Sequence, residues 1–340
     1  MKARKLVSTK GLSRTDWLKH RRSGIGGSDA AAIAGLSRWG NPLSVYLDKI
    51  SVGEPSEEES RFLEWGNRLE PLIADTFAEK TGLKVRPSNF MWQHHEHKFL
   101  LANIDREVIV PDDPLPLLVP HIDPAILAHL VKLGKVGLEC KSASAYKSKE
   151  WKDNCTPEEY LVQCAHYMMV MDMPYWFLAV LIGGNDFQWR LLHRDLELEQ
   201  DLFKIEAEFW QMVQSGTAPA IDGTQASDEI LKNLYPQASI ENTLTLPDDF
   251  LVICSELMKL KAEKKTADGA IKSLENKLKE QIGDHLAAVC GDFQLSWGNV
   301  STERFDMDAF KTEQPELYAG YLAESKSRRF SIKLAKKKEE

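Results

Sequence analysis

Apolar positions change their spacing along the chain, and each change marks a new element. Ser13-Arg-Thr-Asp16 reads as a helix start, with Ser13 capping, Asp16 in the first turn and the helix ending near Arg21-Arg22. The run Ala30–Ala34 predicts a second, buried helix behind the glycine-rich turn Ser23–Asp29. From about Arg61 to Thr81, Leu63, Leu69, Ile73 and Phe77 make one apolar side with Leu72 adjoining it, and Gly82 is placed to end the helix. The acidic stretch Glu54–Ser60 leads into it, and Pro71 removes a backbone donor, so a kink or break is expected near Glu70. Strands are predicted at Leu83–Arg86, Phe90–Gln93, Phe99–Ala102 and Ile104–Val110. Residues 111–135 interrupt this pattern with Pro-Asp-Asp-Pro-Leu-Pro and a short helix from Pro124 to Leu133. Then come a strand at Gly137–Ser142, a helix from Glu158 to about Met171 opened by Pro157, strands at Trp176–Ile182 and Phe187–Leu192, and an amphipathic helix at Leu196–Val213.

The pattern then changes. Residues 223–249 are linker-like, although Ile230, Leu231, Leu234 and Tyr235 are expected to dock. From Leu257 the seam steps by three and four through Leu260, Lys264, Ala267, Ile271, Leu274 and Leu278. About three heptads favour a helical hairpin or packed arm over a long free coiled coil. The expected organisation is one large domain over 1–222, a linker over 223–249, a helical arm over 250–285 and a small module over 286–340 with the basic tail Ser325–Lys338.

Composition narrows the class. No apolar run approaches a membrane span, and Met1–Lys5 lacks the apolar segment of a signal peptide. The five cysteines (Cys140, Cys155, Cys164, Cys254 and Cys290) form no C-x-x-C pair, which argues against a zinc module or disulfide framework and fits a reducing cytoplasm. Net charge is −8, with 27 Lys and Arg against 34 Asp and Glu in residues 1–246, and 16 against 17 in 247–340. Such a chain does not coat itself with polyanion. If it binds nucleic acid, it does so through local patches and metal ions.

The candidate chemistry centres on Gly137-Leu-Glu-Cys-Lys-Ser142. Residues i and i+2 of a strand share a face, so Glu139 and Lys141 project into one cleft while Leu138 and Cys140 face the other way. A carboxylate there can hold a metal ion, a lysine can orient a nucleophilic water, and Asp105 on a neighbouring strand would complete the set. Gln163 and Tyr167 lie one turn apart on the following helix. The glycine turn before Ala30 has two readings: an anion cradle with Arg21 and Arg22 just upstream, or a cap by Ser28 or Asp29 on a buried alanine-rich helix. On the residues alone the cap is slightly favoured. His94-His-Glu-His97, between two strands, reads as an exposed turn rather than a metal site.

In order, Gly66-x-x-x-Glu70, Asp105, Glu139-x-Lys141 and Gln163-x-x-x-Tyr167 resemble the PD-(D/E)xK nuclease superfamily in its RecB-like arrangement. Arg22–Asp29, Trp65–Pro71, Ala102–Arg106, Gly137–Ser142 and Gln163–Met168 bring the resemblance closer to the YqaJ-type viral recombinase family, the phage and prophage group related to lambda exonuclease, over roughly residues 12–222. The resemblance implies an α/β chain with a restriction-endonuclease-like α+β core, a central mixed sheet flanked by helices. It implies a Mg²⁺-dependent exonuclease, with Mn²⁺ able to substitute. The enzyme would degrade one strand of linear double-stranded DNA 5′ to 3′, leaving 3′ overhangs for homologous recombination in the cytoplasm of a bacterial host.

Carried over residue by residue, Asp105 and Glu139 become metal-binding carboxylates, joined by the Leu138 or Cys140 carbonyl and by Glu70 directly or through water. Lys141 positions and activates the water, and Gln163 and Tyr167 hold the catalytic strand or the substrate backbone. Arg22, Arg21, Ser28, Gly26 and Gly27 match a pocket for the 5′-phosphate, which moves the glycine turn toward its anion reading. The resemblance also implies a ring-shaped homotrimer and, as partner, a single-strand annealing protein.

Two departures stand out. The 111–135 insertion must fold beside the cleft, where packing is favoured over contact with DNA or a neighbouring subunit. The region from about 247, which a minimal exonuclease lacks, either contacts the emerging strand or its annealing partner, or buttresses the nuclease. Competing readings are an endonuclease on the same fold and a non-catalytic DNA-binding or assembly protein. An iron–sulfur nuclease would need more suitably placed cysteines than Cys155 and Cys164.

Overall fold

A computed structural model of the chain describes residues 3–51, 61–112, 116–238, 243–324 and 327–334. The acidic Glu54–Ser60 stretch and both ends of the Ser325–Lys338 tail lie outside the described residues. Two compact units are present, Met1–Ile230 and Leu231–Glu340.

In the first unit, β1 (Arg4–Ser8) is followed by α1 (Arg14–Arg22), α2 (Gly27–Ile33), α3 (Pro42–Ile50) and α4 (Arg61–Thr81). Then come β2 (Lys84–Pro87), β3 (Phe90–Gln93), β4 (Leu101–Ala102), β5 (Arg106–Ile109), α5 (Pro124–Leu133) and β6 (Lys135–Ala143). A 3-10 segment at Ala145–Asn154 leads to α6 (Glu158–Met171), β7 (Tyr175–Ile182), β8 (Asp186–His193), α7 (Leu196–Ser215) and the start of α8 (Gln225–Leu234), within which the unit ends at Ile230. The main sheet has the order β2-β5-β6-β7-β8. Its pairs are antiparallel except β6 with β7, which run parallel, so the sheet is mixed as expected. A smaller antiparallel sheet has the order β1-β3-β4.

Alternation along β7 explains the layers. Phe177 and Ala179 join Phe77 and Ile73 of α4 and Leu127 and Leu130 of α5 in one core, while Trp176, Leu178 and Val180 join Cys164, Met168 and Val170 of α6 in another. On β6, Leu138 and Cys140 enter the α4 core, so Gly137, Glu139 and Lys141 face the α6 side. Gly137 is needed there because a Cβ would meet the Trp176 ring at 2.2 Å.

Ser13 caps α1 by accepting from Asp16 N–H, and Gly82 at φ +70° ends α4, both as expected. Helix α4 departs from its expectation, and the insertion keeps to its favoured one. Helix α4 runs unbroken through Pro71, and its Leu63 and Leu72 are exposed. The 111–135 insertion packs: Leu118, Ile122, Leu127 and Leu130 are buried in the α4 core, and β5 still pairs with β6 from Arg106 opposite Leu138 to Ile109 opposite Lys135. The first unit also continues past residue 222, because Asn41 Nδ2 donates to Asp222, Thr224 and Ser227 at 2.7–3.0 Å.

The second unit contains α9 (Phe250–Ile282), the hairpin of β9 (Ala287–Cys290) and β10 (Phe293–Ser296), α10 (Met307–Glu313) and α11 (Pro315–Gly320). Of the two expected forms, a helical hairpin or an arm, the chain takes the second, one unbroken 33-residue helix. Its interior holds no proline and a single glycine, Gly269, so nothing in the chain reverses it.

Candidate active site

The sheet's polar end gathers four elements. Glu139 is buried on β6, and its Oε1 accepts from Lys141 Nζ at 2.5 Å and from Gln163 Nε2 at 2.6 Å. Gln163 Nε2 also donates to the Tyr167 hydroxyl at 3.1 Å. Asp105 lies at the bend just before β5, and its Oδ2 accepts from Cys140 N–H at 2.8 Å. Glu70 of α4 meets the Arg106 guanidinium, which also donates to the Asp105 carbonyl at 2.8 Å.

Charge is under-compensated here. Burial pushes the Asp105 carboxyl well up, and Glu139 and Glu70 push it further, against Lys141 and the Cys140 N–H. Burial likewise raises Glu139, although Lys141 opposes the shift. Burial pulls Lys141 down, but Glu139 and Asp105 outweigh it and raise its pKa, so the side chain stays an ammonium. Glu139 Oε2 is buried with no hydrogen-bond partner. An unmatched acceptor of that kind costs about 1–3 kcal/mol, more when charged, unless something binds it.

The donor set fits a hard divalent cation. Mg²⁺ takes one or two protein carboxylates and completes its shell with water and phosphate oxygens. Asp105 and the free oxygen of Glu139 are the two carboxylate groups that would hold such an ion. Among the described residues no three His, Cys, Asp or Glu side chains form a self-sufficient metal cluster, since Glu70 is turned to Arg106.

A second charged site adjoins the first. Asp29 on α2 accepts from Lys49 Nζ at 2.7 Å, from Gly26 N–H at 3.1 Å and from Arg21. Burial alone would raise its carboxyl, but Arg21 and Lys49 outweigh burial and hold it well below the usual range. Arg21 also donates to Ser28 Oγ at 2.8 Å, whereas Arg22 is set against Asp48 at 3.3 Å. Arg21, Ser28, Gly26 and Gly27 therefore share a site, and Arg22 lies to the side. Asp29, rather than Ser28, makes the cap. The two sites touch through Gly27, where a Cβ would come within 2.6 Å of the Tyr167 ring and 3.0 Å of Gln163 Cγ.

A family model described as the YqaJ-like viral recombinase domain matches residues 16–174. The protein YqaJ of Bacillus subtilis (strain 168) is 35% identical over 335 residues, covering 98% of each chain. The chain belongs to the YqaJ-like viral recombinase family. Among solved structures, the alkaline exonuclease LHK-Exo from Laribacter hongkongensis aligns at 13% identity over 59% of this chain and 93% of its own, with a TM-score of 0.45. LHK-Exo in complex with dAMP aligns at 15% identity over 64% and 96%, also at 0.45.

The sequence reading assigned no role to Lys49 or Arg106. Asn41-Pro42, a cap residue followed by a favoured first helical residue, is the signal that would have placed Lys49 on a helix. Arg106 sits beside Asp105 in the chain, but nothing local says that it reaches Glu70. At the His94–His97 turn, His94 Nδ1 accepts from Glu96 and His97 N–H, and the three imidazoles are partly buried rather than exposed. No helix of the described residues is long and apolar enough to cross a membrane.

Proposed function

We propose that the chain is a Mg²⁺-dependent exonuclease that degrades one strand of linear double-stranded DNA from its ends, 5′ to 3′, leaving 3′ overhangs. The observation that carries this reading is Glu139, buried, with one oxygen held by Lys141 and Gln163 and the other unpartnered. Membership in a viral recombinase family supports recombination as the use of the product. A homotrimeric ring, a single-strand annealing partner and a bacterial cytoplasm complete the proposal.

Asp105 and Glu139 would hold the metal, for which Mn²⁺ can substitute. The Cys140 carbonyl is a better further ligand than that of Leu138. A strand residue turns its N–H and C=O to one edge, and the Cys140 N–H already reaches Asp105, whereas Leu138 is in register with Arg106 in the ladder. A bound divalent ion lowers the pKa of its water and offsets charge on the phosphate. Glu70, steered by Arg106, acts through water. Lys141, kept cationic by its acidic neighbours, orients the attacking water and offsets developing charge rather than taking a proton. Gln163 fixes the Glu139 carboxylate and Tyr167 fixes Gln163, so both are positioning residues. Arg21, Ser28, Gly26 and Gly27 would seat the 5′-phosphate through guanidinium, hydroxyl and backbone N–H groups, with Arg22 at the margin.

The test is degradation of end-labelled linear duplex in Mg²⁺ by wild type and by Lys141→Ala. Wild type should consume 5′-phosphorylated ends and leave covalently closed circles intact. The variant should bind DNA and lose cleavage on the order of 10³-fold or more. Robust cleavage by the variant defeats the role of Lys141, and cutting of closed circles replaces the exonuclease with an endonuclease.

A further inference from the structure

The 33-residue helix α9 carries an apolar seam that is exposed among the described residues. Leu260, Ile271, Leu274 and Leu278 are 46–61% exposed, and Phe250 and Ile253 continue the same three-and-four spacing toward the N-terminus at 43% and 60%. Single exposed leucines need no explanation, but a seam sustained over more than four turns does.

We infer that α9 pairs antiparallel with α9 of a second copy of this chain. Self-pairing is favoured by the order of residues along the seam. In one antiparallel register Leu257 meets Leu274, Leu260 meets Ile271 and Ile253 meets Leu278, while Phe250 falls opposite Gln281 at the end of the pair. The one polar seam position, Lys264, falls opposite Ala267, the small residue that leaves room for its stem. In that register the flanking positions match as well. Glu256 faces Lys277 and Lys261 faces Asp268, each twice by symmetry, with no like-charge pair.

A parallel pair is disfavoured by the same residues. It would set Lys264 against its own copy inside the seam and Glu263 against Asp268 on both flanks, leaving Glu256 with Lys261 as the attractive match. A polar seam residue of this kind specifies register and partner. Lys261 also lies 5.7 Å from the Phe330 ring, so the charge test uses Glu256 and Lys277. At 1.5 Å per residue the two Phe250 ends of the pair stand about 50 Å apart.

The experiment is light scattering on the full-length chain over a concentration series. Leu260→Glu/Ile271→Glu should halve the molar mass while leaving the melting of the first unit unchanged, since both side chains face solvent. A halving reads equally on a dimer and on two joined rings. Lys277→Glu should weaken association roughly tenfold, by turning two attractive pairs repulsive. Glu256→Lys/Lys277→Glu should restore it, because both pairs re-form with reversed sign. In a parallel pair the double variant would instead place a second ammonium opposite Lys261, where Glu256 stands in the wild type, and associate worse. The inference is overturned if the seam variant has the mass of wild type, as it would if the seam packed within its own chain or on another protein. It is also overturned if the charge-reversed double variant associates no better than Lys277→Glu alone.

Discussion

Asp29 and Asp105 are acids of one unit whose carboxyls go opposite ways. Around Asp29 the chain supplies two cations and a backbone N–H, and the charge is matched. Around Asp105 it supplies one backbone N–H, one ammonium shared with Glu139, and two further acids. Burial opposes ionisation at both sites, yet only at Asp29 do the neighbours overcome it. A fold that can neutralise a carboxylate so completely at one site, and does not at the next, has left the second open to a cation from outside. On the proposed reading, that contrast separates a carboxylate that holds the structure from one that would hold the metal.

The sharpest way to break the comparison is to make one substitution at both places. Asp105→Asn should abolish DNA degradation, on the order of 10³-fold or more, because a neutral amide is a poor ligand for a hard cation. Measured in EDTA, its melting temperature should equal or exceed that of wild type, since the amide oxygen can still accept from Cys140 and a like-charge contact is gone. Adding Mg²⁺ should raise the melting temperature of wild type and not that of the variant. A variant that loses stability in EDTA would place Asp105 with the structural acids.

Asp29→Asn should do the reverse. It leaves Lys49, whose side chain is fully buried, and Arg21 without their carboxylate, and breaking such a set by removing one partner costs about 3–5 kcal/mol. Denaturant unfolding should show that loss. Full stability would mean that water or another acid replaces Asp29. Between these effects stands Gly27→Ala. Its methyl would press on Tyr167 and Gln163, costing about 1–3 kcal/mol by overpacking and displacing the residue that holds Glu139. Degradation should fall by roughly tenfold to a hundredfold, since a misplacement near 1 Å can cost that much. Unchanged activity would uncouple the two sites.

Glu139 and Lys141 were legible in the sequence because strand alternation is local: two residues apart is one face, whatever the rest of the chain does. The helix from Glu158 to Met171 was legible for the same reason, through its opening proline and its period. The approach of Asp105 to Cys140 was not, since the insertion at residues 111–135 separates them and only the order of four motifs suggested it. The matched charges at Asp29 escaped because Lys49 comes from a helix twenty residues on, and pairing at that distance is decided by packing. Helix α9 shows a further limit: a heptad seam states the period, but not whether the chain turns back on itself or waits for a second helix.

The smallest effect extends the comparison to a third buried acid. Glu206 on α7 meets His166 Nδ1 at 2.7 Å, both side chains are fully buried, and His166 Nε2 reaches the Leu101 carbonyl at 2.8 Å. Both ring nitrogens can donate only if the imidazole is protonated. Burial opposes that charge, but Glu206 and the Leu101 carbonyl prevail and raise the pKa of His166. A raised folded pKa contributes stability in full below the unfolded value of about 6.5, and the contribution is lost as pH rises through the folded pKa. Across that window stability should fall by at most about 1.4 kcal/mol per pH unit. His166→Gln should remove this slope, because glutamine keeps a polar side chain without the titration. Denaturant midpoints of both proteins from pH 6 to 9 decide it, and parallel curves would mean that His166 does not titrate in this window.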